Sequence, residues 1–397
     1  MLIFLLTPIA LAKTTISFWH SQSANHETVV ALADSFNTSQ DDFEVVPVYA
    51  GDYREAAIKL IGAVNSGTPP VLFDAEVTVF PRLVEEGLVL ELTDLANELP
   101  SNLVGDLYPN IWAYGELAGK RFGLPWNMAV PVLFYNASVL RQRGVEVPTD
   151  WSEFELAVAD LTSRQTRGFI DVSAAFIFEM MVMSRGGQIV TEDGLPNFDS
   201  PEAIAALSLL QRLAKERHSI IKSFGELDAA LVDFVRTKGM MAFASIAFWP
   251  MGLRYAIAFE PGAAPVPRGE APSGNHSVPL MEGQLVVLEG ASAEERRGAF
   301  AFWEFLVEPE NVQTWVEASF ALPVRRSALP LLEAWYAEDP NRRAGLDQIE
   351  FATARPRVGA YAIWQSYLEE AIEKSLKRGL DPETTLNEAQ RRAEEDR

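Results

Sequence analysis

Short runs with strand character alternate with amphipathic helical stretches from about residue 15 onward, and this alternation limits the fold more than any other feature. Strands that are repeatedly followed by covering helices make an α/β protein with parallel strands. The spacing predicts a strand over 15–19 and a helix over 25–36 that carries Val29, Leu32, Ala33 and Phe36 on one face. A strand over 43–49 with a helix over 53–64 repeats the unit, as does a strand over 71–73 with a helix over 77–86 closed by Gly87. After a loop-rich stretch at 100–120, a strand over 130–135 opens a second series. Its helices are expected over 151–162, 174–185, 201–217 and 226–237, followed by a strand over 284–288, a helix over 293–306 and a mostly helical tail over 361–397. Pro201 behind Asp199-Ser200 is a helix start, and Ser292 is the cap of the helix from Ala293.

At 397 residues the chain is long enough for two or three domains with cores of their own. Breakers fall at Pro125 with Pro131, at Val266-Pro267 and at Leu322-Pro323-Val324. Three breaks without an internal repeat predict two lobes of discontinuous segments: 13–124 with 267–321, and 125–266 with 322–397. Such lobes share a multi-crossing hinge instead of one linker. The opening 1–12, MLIFLLTPIALA, reads as a signal peptide remnant without its basic n-region, closing on Ala10-Leu11-Ala12, so an exported, soluble chain is expected.

Composition works by exclusion. Thirty-three basic against fifty-five acidic side chains leave a net charge of −22, which repels phosphate backbones and anionic headgroups, so no nucleic-acid partner is expected. The absence of cysteine excludes disulfides, thiolate nucleophiles and cysteine-based metal sites. The four histidines, His20, His26, His218 and His276, stand in no metal-ligating spacing, and no phosphate-cradling glycine loop or nucleophile elbow occurs. No metal, no cofactor and no catalytic residue are expected. Carboxylate pairs for glycoside hydrolysis stay open, because their separation is not legible in a sequence, and an exported glycosidase is the alternative from a different class.

Small-ligand sites of open α/β sheets lie beyond the carboxyl ends of strands, which directs attention to a few residues. Trp19-His20-Ser21 ends the first strand, Gly51-Asp52-Tyr53 follows the second, Glu76 follows the third and Trp126 sits at the first break. Ser245 and Trp249 surround the end of the apolar run 240–247. A tryptophan face stacks on the C–H face of a polyol or sugar while a carboxylate such as Glu76 accepts its hydroxyl protons. For Trp19, Trp126 and Trp249 core packing is the competing reading. It is the preferred one for Trp112, Trp151, Trp303, Trp315, Trp335 and Trp364, which sit at helical spacings or caps. Arg355-Pro356-Arg357 lies just before a helix, where a guanidinium suits an anion or an oxygen-rich ligand, or bridges surface acids.

Several segments together carry a resemblance: Ile16-Ser17-Phe18-Trp19-His20-Ser21, Tyr49-Ala50-Gly51-Asp52-Tyr53, the run 125–136 (PWNMAVPVLFYN), Pro148-Thr149-Asp150-Trp151 and Ala354-Arg355-Pro356-Arg357. The chain resembles the extracellular solute-binding proteins of carbohydrate-type ABC importers, the maltose-binding-like family, and within it the glycerol-3-phosphate-binding members. The resemblance implies a two-lobed periplasmic-binding-protein fold, each lobe a mainly parallel sheet flanked by helices. It further implies a monomer in the periplasm or outside the cell, a small-molecule ligand in the cleft and a membrane permease as partner. Tyr53, Glu76, Ser245 and Arg357 match ligand-contacting positions of the family, with Gly283 a further match. With the strand-end residues, the expected lining is Trp19, His20, Tyr53, Glu76, Trp126, Ser245, Trp249, Gly283 and Arg357. The implied ligand is sn-glycerol 3-phosphate or a glycerophosphodiester, the alternative a neutral di- or oligosaccharide. Ala129 and Phe320-Ala321 depart from the glycerol-phosphate pattern and remove hydroxyl donors from its anion end.

Overall fold

A computed structural model describes residues 12–250, 258–269 and 276–396; the apolar opening run over 1–11 lies outside them. Ten strands of at least four residues form two sheets among the described residues: β1 (Thr14–His20), β2 (Phe43–Tyr49), β3 (Leu72–Glu76), β4 (Gly123–Ala129), β5 (Pro131–Asn136), β6 (Arg167–Ser173), β7 (Ser219–Ser223), β8 (Gly239–Ser245), β9 (Pro261–Ala264) and β10 (Met281–Val287). The first sheet has the order β2-β1-β3-β10-β4, the second β9-β5-β8-β6-β7.

Each sheet is mixed, where mainly parallel sheets were expected. In the first, β1 runs parallel to β2 and β3, while β10 is antiparallel to β3 and β4. In the second, β6 runs parallel to β7 and β8, while β5 is antiparallel to β8 and β9. The reason is the route of the chain. A strand that enters from the other lobe arrives at the carboxyl ends of the parallel strands, so it must run away from that edge, against its neighbours. β10 begins beside the end of β3, with Gly283 opposite Glu76, and β5 begins beside the end of β8, with Pro131 opposite Ser245.

The sheet changes at Val130, not at the expected 124/125 boundary: Pro125 and Trp126 lie within β4, in the first sheet. Proline belongs at strand edges and bulges, and β4 has such a place. The register slips between Gly283 and Gln284, so that Asn127 and Pro125 face consecutive residues of β10 and Trp126 is the extra one. The third passage is also later than Leu322-Pro323-Val324. Leu322 N–H still bonds Met128 O in the first lobe at 2.7 Å, and Asn341 Oδ1 then accepts the Ala263 N–H of β9 at 2.9 Å. The ribbon Val278–Pro279 with Ala352–Thr353 completes the junction.

Helices form where an apolar stripe and a cap coincide. His26–Ser39 buries Val29, Leu32, Ala33 and Phe36, as its spacing predicts. Trp151–Leu161 starts at Asp150, whose carboxylate accepts the N–H groups of Ser152 and Glu153 at 2.8 Å. Ser292 and Glu295 form a capping box at the head of Ala293–Leu306. The helices Tyr361–Arg378 and Pro382–Glu395 pack on each other and on Pro201–Lys215 of the second lobe.

Candidate ligand-binding cleft

The carboxyl ends of β1 and β3 in one sheet and of β6, β7 and β8 in the other converge on the junction, and polar side chains collect there. His20 closes β1 on the face of Ile16 and Phe18 and is fully buried. Its Nδ1 accepts the Gln22 N–H at 3.1 Å, and its ring stacks on His26, with Nε2 3.3 Å from the His26 Nδ1. Burial, and next the charge of His26, lower its pKa to about 4, so it is neutral at physiological pH.

Tyr53 heads the helix Tyr53–Asn65, which Asp52 caps by accepting the Glu55 N–H at 2.8 Å. Its hydroxyl oxygen accepts from Gln22 Nε2 at 3.0 Å and from Asn127 Nδ2 at 3.1 Å, and Gln22 donates its other bond to Asp74 Oδ2 at 2.8 Å. Asp74 is fully buried with Oδ1 unpartnered, and burial pushes its pKa up to about 7 against the pull of Gln22. Gly283 passes so close to this carboxyl that an added Cβ would lie 2.1 Å from Oδ1, which is why β10 needs glycine here. Its neighbour Glu282 holds a left-handed backbone, φ 71°, a strained state for a residue with a side chain. The Glu282 carboxylate accepts the hydroxyl of Ser245 at 2.7 Å, a bond between β10 of one sheet and β8 of the other. Burial raises the Glu282 pKa, and Ser245 opposes the rise.

A second cluster lies at the end of β3. Glu76 Oε2 accepts from the N–H of Thr78 at 2.8 Å and from the Thr78 hydroxyl, while Oε1 accepts from Arg355 at 3.1 Å. Arg355 is 5% exposed, and its fork grips both oxygens of Glu179 at 2.7 Å, with Gln365 Oε1 at 2.9 Å. Tyr361 donates its hydroxyl to Glu179 as well. Burial works against the Arg355 charge, and the carboxylates of Glu179 and Glu76 more than offset it. Gln365 reaches Thr78 Oγ1 at 3.1 Å, and the Arg54 guanidinium lies 5.7 Å from the Phe224 ring, so the lobes touch at both places.

The expected lining residues part into two groups. Tyr53, Glu76, Ser245 and Gly283 come together here. Trp19 packs against the cluster of Ala56, Leu60 and Phe73 on the other face of the first sheet. Trp126, 2% exposed, packs its ring against Trp315 at 4.5 Å and Phe18 at 5.7 Å, so its face is spent on the core. Trp249 is buried and stacks on Phe134 at 5.6 Å, beside an apolar cavity left by Ala242 and Ala244 of β8 under the helix Leu227–Val235. His20 is sealed by His26. Arg357 donates to Glu116 O at 2.7 Å and Ala113 O at 2.8 Å, and keeps Nε buried without a partner.

Asp74, Glu179, Glu282 and Tyr361 escape the sequence expectation, and of the pair Arg355 and Arg357 it is Arg355 that enters the cluster. One signal was available: Glu179 is the single acid in AFIFEMMVM, and a carboxylate inside an otherwise apolar helix needs a buried cation.

The model of the bacterial extracellular solute-binding protein family matches residues 31–344. The chain belongs to this family. Members of it bind solutes and are not catalysts, so the chain is the substrate-binding component of an ABC importer for a small polar solute, and it works in the periplasm or outside the cell. The chain is similar to the sn-glycerol-3-phosphate-binding periplasmic protein UgpB of Yersinia pestis bv. Antiqua, 22% identical over 97% of this chain and 92% of the relative. It is also similar to UgpB of Salmonella typhimurium, 24% identical over 83% and 79%. In fold it resembles UgpB of Mycobacterium tuberculosis in complex with glycerophosphocholine, TM-score 0.86 at 21% identity over 97% of this chain and 98% of the other. The GacH receptor of Streptomyces glaucescens has a TM-score of 0.83 at 21% identity over the same shares.

Proposed function

We propose that the two lobes close on a neutral, hydroxyl-rich solute, a saccharide or polyol, and present it to the membrane permease. The crossings at Val130, around 265–269 and 276–280, and along 339–358 serve as the hinge. The observation that carries the ligand class is the charge balance of the cleft. Four carboxyl groups, Asp74, Glu76, Glu179 and Glu282, collect around one guanidinium, Arg355, which has spent its fork on Glu179. A phosphate dianion entering this set meets an excess of acids, whereas sugar hydroxyls donate to them and accept from Asn127 and Gln22.

Titration calorimetry of the full chain with maltose, trehalose, glycerol 3-phosphate and glycerophosphocholine tests this. The reading expects heat with a neutral sugar and none with glycerol 3-phosphate; tight binding of glycerol 3-phosphate alone would overturn it. A glycerophosphodiester, with one negative charge, is the second reading, supported by two buried donors without partners: the Tyr114 hydroxyl near Glu76, and Nε of Arg357, whose guanidinium lies 5.1 Å over the Tyr114 ring. The UgpB of Mycobacterium tuberculosis in complex with glycerophosphocholine points the same way.

A further inference from the structure

We propose that Arg355 is a positioning residue, a guanidinium clasp on the hinge that ties an acid of each lobe and so sets both the orientation of Glu76 and the approach of the lobes. The inference rests on the solute-binding reading of the cleft. Arg355 lies two residues beyond the junction strand Ala352–Thr353, so it stands between the lobes. Glu179 belongs to the buried helix Ala175–Met183 of the second lobe and takes two of its N–H groups in a bidentate fork, both at 2.7 Å. Glu76 ends β3 of the first lobe and takes a third at 3.1 Å. Side-chain exposures of 5% for Arg355, 1% for Glu179 and 18% for Glu76 leave little water to compete for these bonds. The geometry is asymmetric: the fork fixes the guanidinium on the second lobe, and its outer edge holds Glu76, whose other oxygen is fixed by Thr78. An opening of the lobes has to pull Glu76 off Arg355 while the fork stays closed. Gln365 repeats the connection, accepting from Arg355 and donating to Thr78.

A purely structural ion pair would show in stability alone, so the test separates fold from position. The chain has no cysteine, which allows spin labels at Ile58→Cys and Leu156→Cys, each 68% exposed and on opposite lobes. In this background Arg355→Met/Glu179→Gln removes both charges of the fork and keeps an acceptor for Tyr361. Exchange of a buried ion pair for neutral groups is tolerated where removal of one partner is not, so the double variant is expected to melt close to its parent. The expected result, in the absence of any solute, is a broader and longer inter-lobe distance distribution by electron–electron double resonance. For the sugar that binds the parent, the dissociation constant should rise roughly tenfold or more. An unchanged distance distribution in the folded double variant overturns the proposal. If that variant fails to fold, Arg355→Lys, which keeps the charge and loses the fork, gives the deciding readout, with the same broadening expected and an unchanged distribution contradicting it. Because the distance is read without solute, a chain that binds no sugar would defeat the solute reading while the clasp still stands or falls on its own measurement.

Discussion

Single side chains in this protein are governed by what burial does to charge. Asp171 on β6 is 1% exposed, and neither carboxyl oxygen has a hydrogen-bond partner. Burial pushes its pKa from 3.8 up to about 7. The folded state therefore holds a proton that the unfolded state has lost, and stability falls as pH rises through this window. The penalty is full above pH 7, absent below about pH 4, and at most roughly 4 kcal/mol for a shift of this size. Asp171→Asn is expected to raise the melting temperature at pH 8 and to leave it nearly unchanged at pH 4, which scanning calorimetry at the two pH values checks. Trp126 makes the opposite point. Its ring lies in the core between Phe18 and Trp315, so Trp126→Phe should cost stability, about 1–3 kcal/mol, and leave sugar affinity intact. A large loss of affinity at unchanged melting temperature would return it to the cleft. The sequence placed Glu76 and Ser245 at strand ends correctly in position. It could not show that Glu76 is held by Arg355, because residues 279 apart meet only in three dimensions. For the tryptophans, position along a strand leaves open which face of the sheet the ring takes, and one residue of slip at the β4 bulge decides it for Trp126.

Among the elements, local periodicity carried most helices and the strands β1, β2, β3, β5 and β10, while the parallel strands β6 and β7 went unread. The capped starts at Asp150, Ser200 and Ser292 stand where the sequence puts them. The direction of β5 and β10 was not legible, since it follows from the path of the chain between lobes and not from any residue pattern. β10 shows how tightly that path is drawn. Gly283 passes Asp74 with no space for a methyl group, and the preceding Glu282 is held in the left-handed region. Gly283→Ala is expected to destabilise the protein by about 1–3 kcal/mol through this overlap. Chemical denaturation should show a lower midpoint at an unchanged slope. A variant as stable as its parent would mean that Asp74 moves aside freely.

At the scale of the molecule, two mixed sheets face each other with their strand ends at a common junction, and three passages of the chain connect them. Ser245 bonds Glu282, Arg355 bonds Glu76 and Gln365 bonds Thr78 across the cleft, and the first two bonds involve carboxylates that a hydroxyl-rich solute would also address. On the proposed reading, ligand binding and lobe approach are coupled, and a solute shifts the equilibrium only by contacts that it makes with both lobes together. Small-angle X-ray scattering of the full chain, alone and with saturating maltose, trehalose, glycerophosphocholine or glycerol 3-phosphate, tests this most directly. The account predicts a smaller radius of gyration with a neutral sugar and no change with glycerol 3-phosphate; compaction by glycerol 3-phosphate alone, or by none of the four, would contradict it.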